Sequence, residues 1–202
     1  MSKALKAYLI TSPAYYPPEC DAFTRAFTRA LVVHRPYAAL LRGYAESADY
    51  EQLAHAFVAL CREFACLPYV SADVALARNL GIGVHLRAHQ RDSIALLAKE
   101  RHVFYSAHSL NDMLLAQEQG AHAMTISPIF PTPNKPPPLG LAKLRDIMRA
   151  YPFCVDVFAL GGIITAQHRE SLRDSGVAGF ASIRYFAATS QCQNLIDDNP
   201  YH

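Results

Sequence analysis

No C-x-x-C pair occurs in this chain, and its five cysteines, Cys20, Cys61, Cys66, Cys154 and Cys192, are irregularly spaced. That pattern indicates neither a disulfide framework nor a zinc site, and the plain reading is reduced, mostly buried thiols in a cytosolic protein. Basic residues never form a run of four. Scattered through a chain of net charge +2, the 19 lysines and arginines argue against bulk nucleic-acid binding. No stretch reaches the about 18 apolar residues that a membrane span needs, and the apolar run after Met1-Ser-Lys-Ala-Leu-Lys6 is too short for a secretory segment. The expectation is a soluble, cytoplasmic protein with no membrane partner. No linker, low-complexity segment or repeat divides the 202 residues, so residues 1–202 read as one domain. With 51% hydrophobic and 18% charged residues, the chain is globular and not disordered.

Short apolar runs alternate with longer helical patterns from end to end. Strands are predicted at Ala7–Thr11, Tyr37–Arg42, Leu67–Ser71, Ile82–Leu86, His102–Ala107, His122–Pro128, Asp156–Gly161 and Gly179–Ile183. They are continuously apolar, as strands buried on both faces should be. Helices are predicted at Cys20–Val33, Tyr50–Cys66, Asp73–Leu80, Arg91–Lys99, Leu110–Gln119, Leu141–Ala150, Ala166–Asp174 and Tyr185–Ile196. Ser109-Leu-Asn-Asp112 has the layout of a helix N-cap, and Gly120 and Gly176 stand where helix C-terminal glycines belong. Eight strand-helix alternations predict a small (β/α)8 TIM barrel; periodicity alone leaves an open doubly wound sheet as the alternative.

In such a barrel the chemistry sits at strand C-terminal ends and the loops after them. That rule selects Thr11, Arg42, Ser71, Asp73, His85, Arg87, Ser106, His108, Thr132, Lys135, Gly161, Gly162 and Arg184. Basic residues outnumber acidic ones on this face, which suits an anionic ligand, most simply a phosphate ester. Two segments carry the sharpest signal: Ser127-Pro-Ile-Phe-Pro-Thr-Pro-Asn-Lys135 and, one strand-helix unit later, Phe158-Ala-Leu-Gly-Gly-Ile163. Glycines at a strand end let a ligand reach bare backbone N–H groups, and a nearby lysine adds charge. Each residue also has a plainer role. Thr11 and Ser71 could cap strand ends, His85 could be a hydrogen-bonded core residue, His108 could cap a helix, and Lys135 could be a solvated loop charge.

Together with Ala7-Tyr-Leu-Ile-Thr11, Gly83-Val-His-Leu86 and Tyr105-Ser-Ala-His-Ser109, these segments resemble the thiamin-phosphate synthase superfamily, which includes the TenI-type thiazole tautomerases. The resemblance spans nearly the whole chain and implies the (β/α)8 barrel. In the synthases, hydroxymethylpyrimidine pyrophosphate and thiazole phosphate yield thiamin phosphate and pyrophosphate with magnesium bound. The resemblance carries over Arg42, Ser106, Thr132, Lys135, Gly161, Gly162 and Ile183, and strand-end placement adds His108 and Arg184; the expected site is Arg42, Ser106, His108 and Lys135 for catalysis, and Thr132, Gly161, Gly162, Ile183 and Arg184 for phosphate binding.

Several positions depart from the family pattern. Leu40-Leu-Arg-Gly-Tyr44 stands where the family reads Gln-x-Arg-x-Lys. Ser71-Ala72 replaces an Asn-Asp pair, and Arg87-Ala-His-Gln90 replaces Gly-Gln-x-Asp, so both expected magnesium carboxylates are missing. Pro128 occupies the position of the tautomerase histidine and cannot exchange a proton. Ile183-Arg184 replaces Ile-Ser. The expectation is a thiamin biosynthesis protein that binds thiazole phosphate or thiamin phosphate, either a synthase-like transferase or a TenI-like tautomerase, with a degraded magnesium-pyrophosphate site and no metal site of its own. The alternatives are a non-catalytic or regulatory phosphate-ester binder, or a barrel enzyme recruited to another phosphorylated small molecule. A homodimer follows from family analogy alone.

Overall fold

A computed structural model describes residues 4–187. Eight parallel strands close into a barrel in sequence order. They are β1 (Lys6–Ile10), β2 (Ala38–Leu41), β3 (Leu67–Ser71), β4 (Gly83–Leu86), β5 (Val103–Ala107), β6 (Ala123–Ile126), β7 (Asp156–Leu160) and β8 (Gly179–Ser182). Between them run α1 (Cys20–His34), α2 (Tyr50–Glu63), α3 (Val74–Leu80), α4 (Ile94–Leu97), α5 (Leu110–Glu118), α6 (Leu141–Ala150) and α7 (Ala166–Glu170). Closure is sealed by β1 against β8, with Tyr8 opposite Ala181, so the predicted barrel is correct and the open sheet is not.

Alternation along each strand sorts the apolar runs into two cores. Leu9, Ala39, Val70, Val84, Tyr105 and Met124 face outward into a layer shared with the helices. There Phe27 of α1 stacks on Phe23 at 5.3 Å and meets Phe57 of α2 at 5.1 Å. The inward residues form layers in which alternate strands contribute together. Odd-numbered strands supply four rings, Tyr8, Tyr69, Phe104 and Phe158. Tyr8 lies 4.5 Å from Phe104, and Phe104 lies 5.1 Å from Phe158 and 5.3 Å from Tyr69. Even-numbered strands place small residues beneath, Ala38, Gly83, Ala123 and Gly179. A Cβ on Gly83 would collide with the Tyr69 ring, and one on Gly179 with the Phe158 ring. Large rings over a small-residue layer let the barrel interior pack closely. The barrel floor is polar, with Lys6 paired to Asp156 and lying over the Tyr37 ring.

Element ends differ from the sequence expectations for local reasons. The sixth strand is Ala123–Ile126, shorter than predicted: His122 precedes it with its ring tilted against His102 at 4.5 Å, and Pro128 has no N–H for the ladder. Helix α2 stops at Glu63, where the chain reverses through Ala65 at φ 53°. The helix predicted at Arg91–Lys99 is a 3-10 turn, Ala88–Ser93, running into the single-turn α4. Gln90 holds that turn in place by accepting from the Arg87 N–H and donating to the Ala72 carbonyl. Helix α7 ends early, where the Ser171 and Ser175 hydroxyls donate back to the carbonyls of His168 and Leu172. The last predicted helix starts at Arg184 and lies mostly outside the described residues. Ser109 caps α5 as expected, accepting from the Asp112 N–H at 3.1 Å. Of the described cysteines, Cys61 and Cys66 are buried, Cys20 is half-buried and Cys154 is exposed; all are free.

Removing a ring from the aromatic layer leaves a cavity that the closed barrel cannot collapse. Phe104→Ala is expected to lower stability by about 3–5 kcal/mol in urea unfolding. Leu96→Ala, at a side chain 63% exposed, is expected to change it by less than about 0.5 kcal/mol. A small loss for Phe104→Ala would contradict the layered packing.

Candidate functional site

Above the rings, inward positions turn polar as they approach the C-terminal mouth. The even strands carry Leu40, His85, Thr125 and Ala181, the odd strands Ile10, Ser71, Ser106 and Leu160, and the rim above them carries Arg42, Arg87, Ser127 and Ile183. Packing of Leu160 and Ile183 against the interior cluster bears out this alternation at β7 and β8.

His85 is a core histidine with a function-facing partner. It is 4% exposed, its Nδ1 lies 3.0 Å from the Tyr8 hydroxyl, and its Nε2 lies 2.9 Å from Ser106 Oγ. Burial first, and then the Arg42 charge, push its pKa down to about 3. Burial likewise raises the Tyr8 phenol well above its usual value, so Tyr8 stays protonated. Among the described residues the Tyr8 hydroxyl has no other acceptor, which assigns it as donor to Nδ1 and leaves Nε2–H to donate to Ser106. Beside Ser106 in the ladder, Thr125 is fully buried, and its hydroxyl has no partner among the described residues.

At the ends of β5 and β6, His108 is exposed. Its Nδ1 sits 3.1 Å from the Ser127 carbonyl and 3.2 Å from Ser127 Oγ, while its backbone N–H donates to Asp112 Oδ2. The helix-capping role belongs to Ser109, which frees the His108 ring to meet Ser127.

After β7, Gly161 and Gly162 sit at φ 97° and 69°, a region favouring glycine. Both also lie tight against the β6 loop. A Cβ on Gly161 would come 2.8 Å from Pro128 Cα, and one on Gly162 would come 2.6 Å from Phe130 Cβ. The loop is pinned there by Ile129 N–H donating to the Leu160 carbonyl and Phe130 N–H donating to the Gly161 carbonyl. Ser182 ties the next loop in, donating to the Ile163 carbonyl at 2.7 Å and accepting from the Tyr185 N–H. Among the described residues, the N–H groups of Gly162, Ile183 and Arg184 donate to no protein acceptor. Arg184 is half-buried at the start of the final helix. Thr132 is half-buried and its hydroxyl donates to the Phe130 carbonyl. Lys135 is exposed in the proline-rich loop, held only by a turn to Thr132.

Across the mouth, Thr11 acts as a strand-end clamp, donating to the Leu40 carbonyl and accepting from the Arg42 N–H, each at 3.0 Å. Asp73 caps α3 by accepting from the Leu76 N–H at 2.9 Å; burial first, and then the Asp73 charge, raise the Tyr50 phenol above its usual value. Arg42 and Arg87 are both exposed; partial desolvation first, and then the Arg87 charge, lower the Arg42 pKa. Among the described residues no group of three His, Cys, Asp or Glu side chains is placed to hold a metal ion. The structure thus places Gly161, Gly162, Ile183 and Arg184 at the ends of β7 and β8, Arg42 on the rim after β2, and Ser106 and His108 at the end of β5. It leaves Lys135 on the surrounding loop. Tyr8, Thr125, Ser127 and Ser182 were missed by sequence reasoning; counting every second residue along the strands would have exposed the first three.

Over residues 7–186 the chain matches the family described as thiamine monophosphate synthase. The chain belongs to that family. It is 35% identical over 147 residues to a thiamine-phosphate synthase of Thioalkalivibrio sulfidiphilus, covering 67% of this chain and 68% of the relative. Against the thiamine-phosphate synthase of Chlorobium limicola, identity is 33% over 157 residues, covering 72% and 71%. Among solved structures, thiamine phosphate pyrophosphorylase from Pyrococcus furiosus superimposes with a TM-score of 0.75 at 24% identity, covering 96% of each chain, which speaks to the fold. Membership of this family supports a place in thiamin biosynthesis. No helix among the described residues is long and apolar enough to cross a membrane.

Because His85 is held neutral, its folded pKa lies below the about 6.5 of an unfolded histidine. Its contribution is complete above that value and drains away as pH falls toward 3. His102, pushed down to about 4 by burial and then by His122, acts in the same direction. Between pH 7 and pH 4.5, His85→Gln is expected to lose about 2–3 kcal/mol less urea stability than the wild type. Equal losses in both proteins would contradict the buried neutral histidine.

Proposed function

We propose that this chain binds thiazole phosphate or thiamin phosphate, with the phosphate seated on the N–H groups of Gly162, Ile183 and Arg184. The observation that carries this reading is that those amides, at two adjoining strand ends, have no protein acceptor among the described residues. Backbone N–H groups at a helix start favour an oxyanion, and the Arg184 guanidinium adds a charge-assisted contact. Gly161 lets the turn pack under the β6 loop, and Thr132 stiffens that loop. Lys135 contributes long-range attraction and no fixed contact.

The reaction class proposed is the family's own, a transferase step forming thiamin phosphate or a proton shift on the thiazole. With Nε2–H of His85 donated to Ser106, the Ser106 hydroxyl hydrogen is free to donate to the substrate. His108 offers its Nε2 for proton exchange, oriented through Nδ1 by Ser127, and Arg42 faces developing negative charge. Magnesium does not fit the residues present. Asp73 caps α3 through Oδ1, Gln90 is bonded to Arg87 and Ala72, and two arginines occupy the rim where carboxylates would be needed. No step is assigned to a metal. The same observation favours a second reading, a phosphate-ester binder without synthase turnover.

Thiamin phosphate formation from the two substrates, measured with magnesium and with EDTA, separates these readings. Product supports the enzyme, and thiazole phosphate binding without product or tautomerisation supports the binder. Arg184→Ala is expected to weaken thiazole phosphate binding by about 1–3 kcal/mol. Gly162→Ala, with its Cβ driven against Phe130, is expected to weaken it as well, and Lys135→Ala far less. Wild-type affinity in both Gly162→Ala and Arg184→Ala would sink the assignment.

A further inference from the structure

We propose that Thr125 is a specificity-determining residue: its buried hydroxyl and that of Ser106 form the hydrogen-bonding floor of the cavity and select phosphate esters whose ring end carries an acceptor atom. The proposal rests on the monoester reading above. Ala123 of β6 belongs to the interior cluster, whereas Met124 and Ile126 pack in the outer one, so Thr125 points inward with Ala123. It pairs in the ladder with Ser106 on one side and Phe158 on the other. Thr125 is fully buried, yet its hydroxyl has no partner among the described residues. The buried hydroxyls of Thr11, Ser175 and Ser182, by contrast, each donate to a backbone carbonyl. Tyr16 carries another orphaned hydroxyl, but it lies in the outer layer against Phe23 and Phe27.

Packing gives no reason for that hydroxyl. A valine has nearly the same shape and a similar strand preference, and it leaves no polar group without a partner. An enclosed hydroxyl without a bond costs free energy, and a ligand that supplies the missing acceptor removes that cost on binding. Ser106 stands beside it on the neighbouring strand. It accepts the Nε2–H of His85 at 2.9 Å, so its own hydrogen is free to donate. Two adjacent O–H donors match the edge of a heterocycle that accepts; an apolar ring edge leaves both hydroxyls unsatisfied and is rejected for that reason. Access is from the mouth. Ser106 and Leu160, one layer above Thr125 on the flanking strands, are half-buried, and Ala181 in the Thr125 layer is small. Ile183, whose N–H belongs to the cradle, stands two residues beyond Ala181, about 6–7 Å along the strand. A ring tethered by two carbons to a phosphate in the cradle spans that depth.

Calorimetric titration of the full chain with thiazole phosphate, phenethyl phosphate and inorganic phosphate tests this. The phenethyl ester keeps the tether and the charge but has no acceptor on its ring. Thr125→Val is expected to weaken thiazole phosphate binding about tenfold and to change binding of the other two ligands less than about twofold. Thr125→Ser, which keeps the hydroxyl, should bind thiazole phosphate much as the wild type does. Thermal unfolding separates this role from a structural one. Removing an orphaned hydroxyl is expected to leave the Tm of Thr125→Val unchanged or raised. A lower Tm would place the hydroxyl in a bond within the protein and overturn the proposal. Equal loss for all three ligands would also overturn it, as would wild-type affinity for thiazole phosphate in Thr125→Val. In that last case Arg184→Ala tells the two readings apart: if it still weakens thiazole phosphate, the cradle stands without this floor. No binding of thiazole phosphate to the wild type removes both.

Discussion

The rest of the molecule depends on the closure of eight parallel strands around a layer of four aromatic rings. Once Tyr8, Tyr69, Phe104 and Phe158 fill the centre, the alternation of every strand is fixed, because a slip of one residue would turn its whole inner face outward. The same register that buries the rings sends His85, Ser106 and Thr125 to the next layers, and Arg42, Arg87, Ser127 and Ile183 to the rim. Polar groups reach the mouth because they sit two and four residues beyond apolar ones on the same strands. A site built this way inherits the rigidity of the core below it.

That mouth has two unlike halves. On the β7–β8 side the exposed groups are mostly backbone: glycine turns packed under the β6 loop, bare amides, and one half-buried arginine. The Gly161-Gly162 pair is doubly constrained, by positive φ and by the Pro128–Phe130 segment pressed against it. On the β2–β4 side the groups are side chains, the guanidiniums of Arg42 and Arg87. Between them, the Tyr8–His85–Ser106 chain holds a neutral imidazole that sets the direction of the Ser106 hydroxyl. The family relationship fixes the biosynthetic context.

Much of this was legible in the sequence because strong signals there have single physical causes. Continuous apolar runs of five or so residues separated by helical patterns leave few folds other than a barrel. Gly161-Gly162 at a strand end has little reason to exist except a close approach. Asp73, the first residue of a predicted helix, caps that helix by accepting from the Leu76 N–H. What stayed hidden depends on contacts between distant segments. The hydrogen bond from Tyr8 to His85 joins β1 to β4, and the meeting of His108 with Ser127 joins two loops that share no sequence pattern. Lys135 looked like a site residue because it stands in the most distinctive segment, yet proline spacing could not say which way the loop carries it. The early ends of α2 and α7 turn on a left-handed residue and on serine hydroxyls that compete with the helix, which propensity alone does not resolve.

The most direct test is the position of bound phosphate in a crystal structure of the chain with thiazole phosphate. The account predicts phosphate oxygens within hydrogen-bonding reach of the Gly162, Ile183 and Arg184 amides, with the thiazole directed toward Ser106. Phosphate located elsewhere on the barrel, or those amides found bonded to the protein with ligand present at saturation, would contradict it.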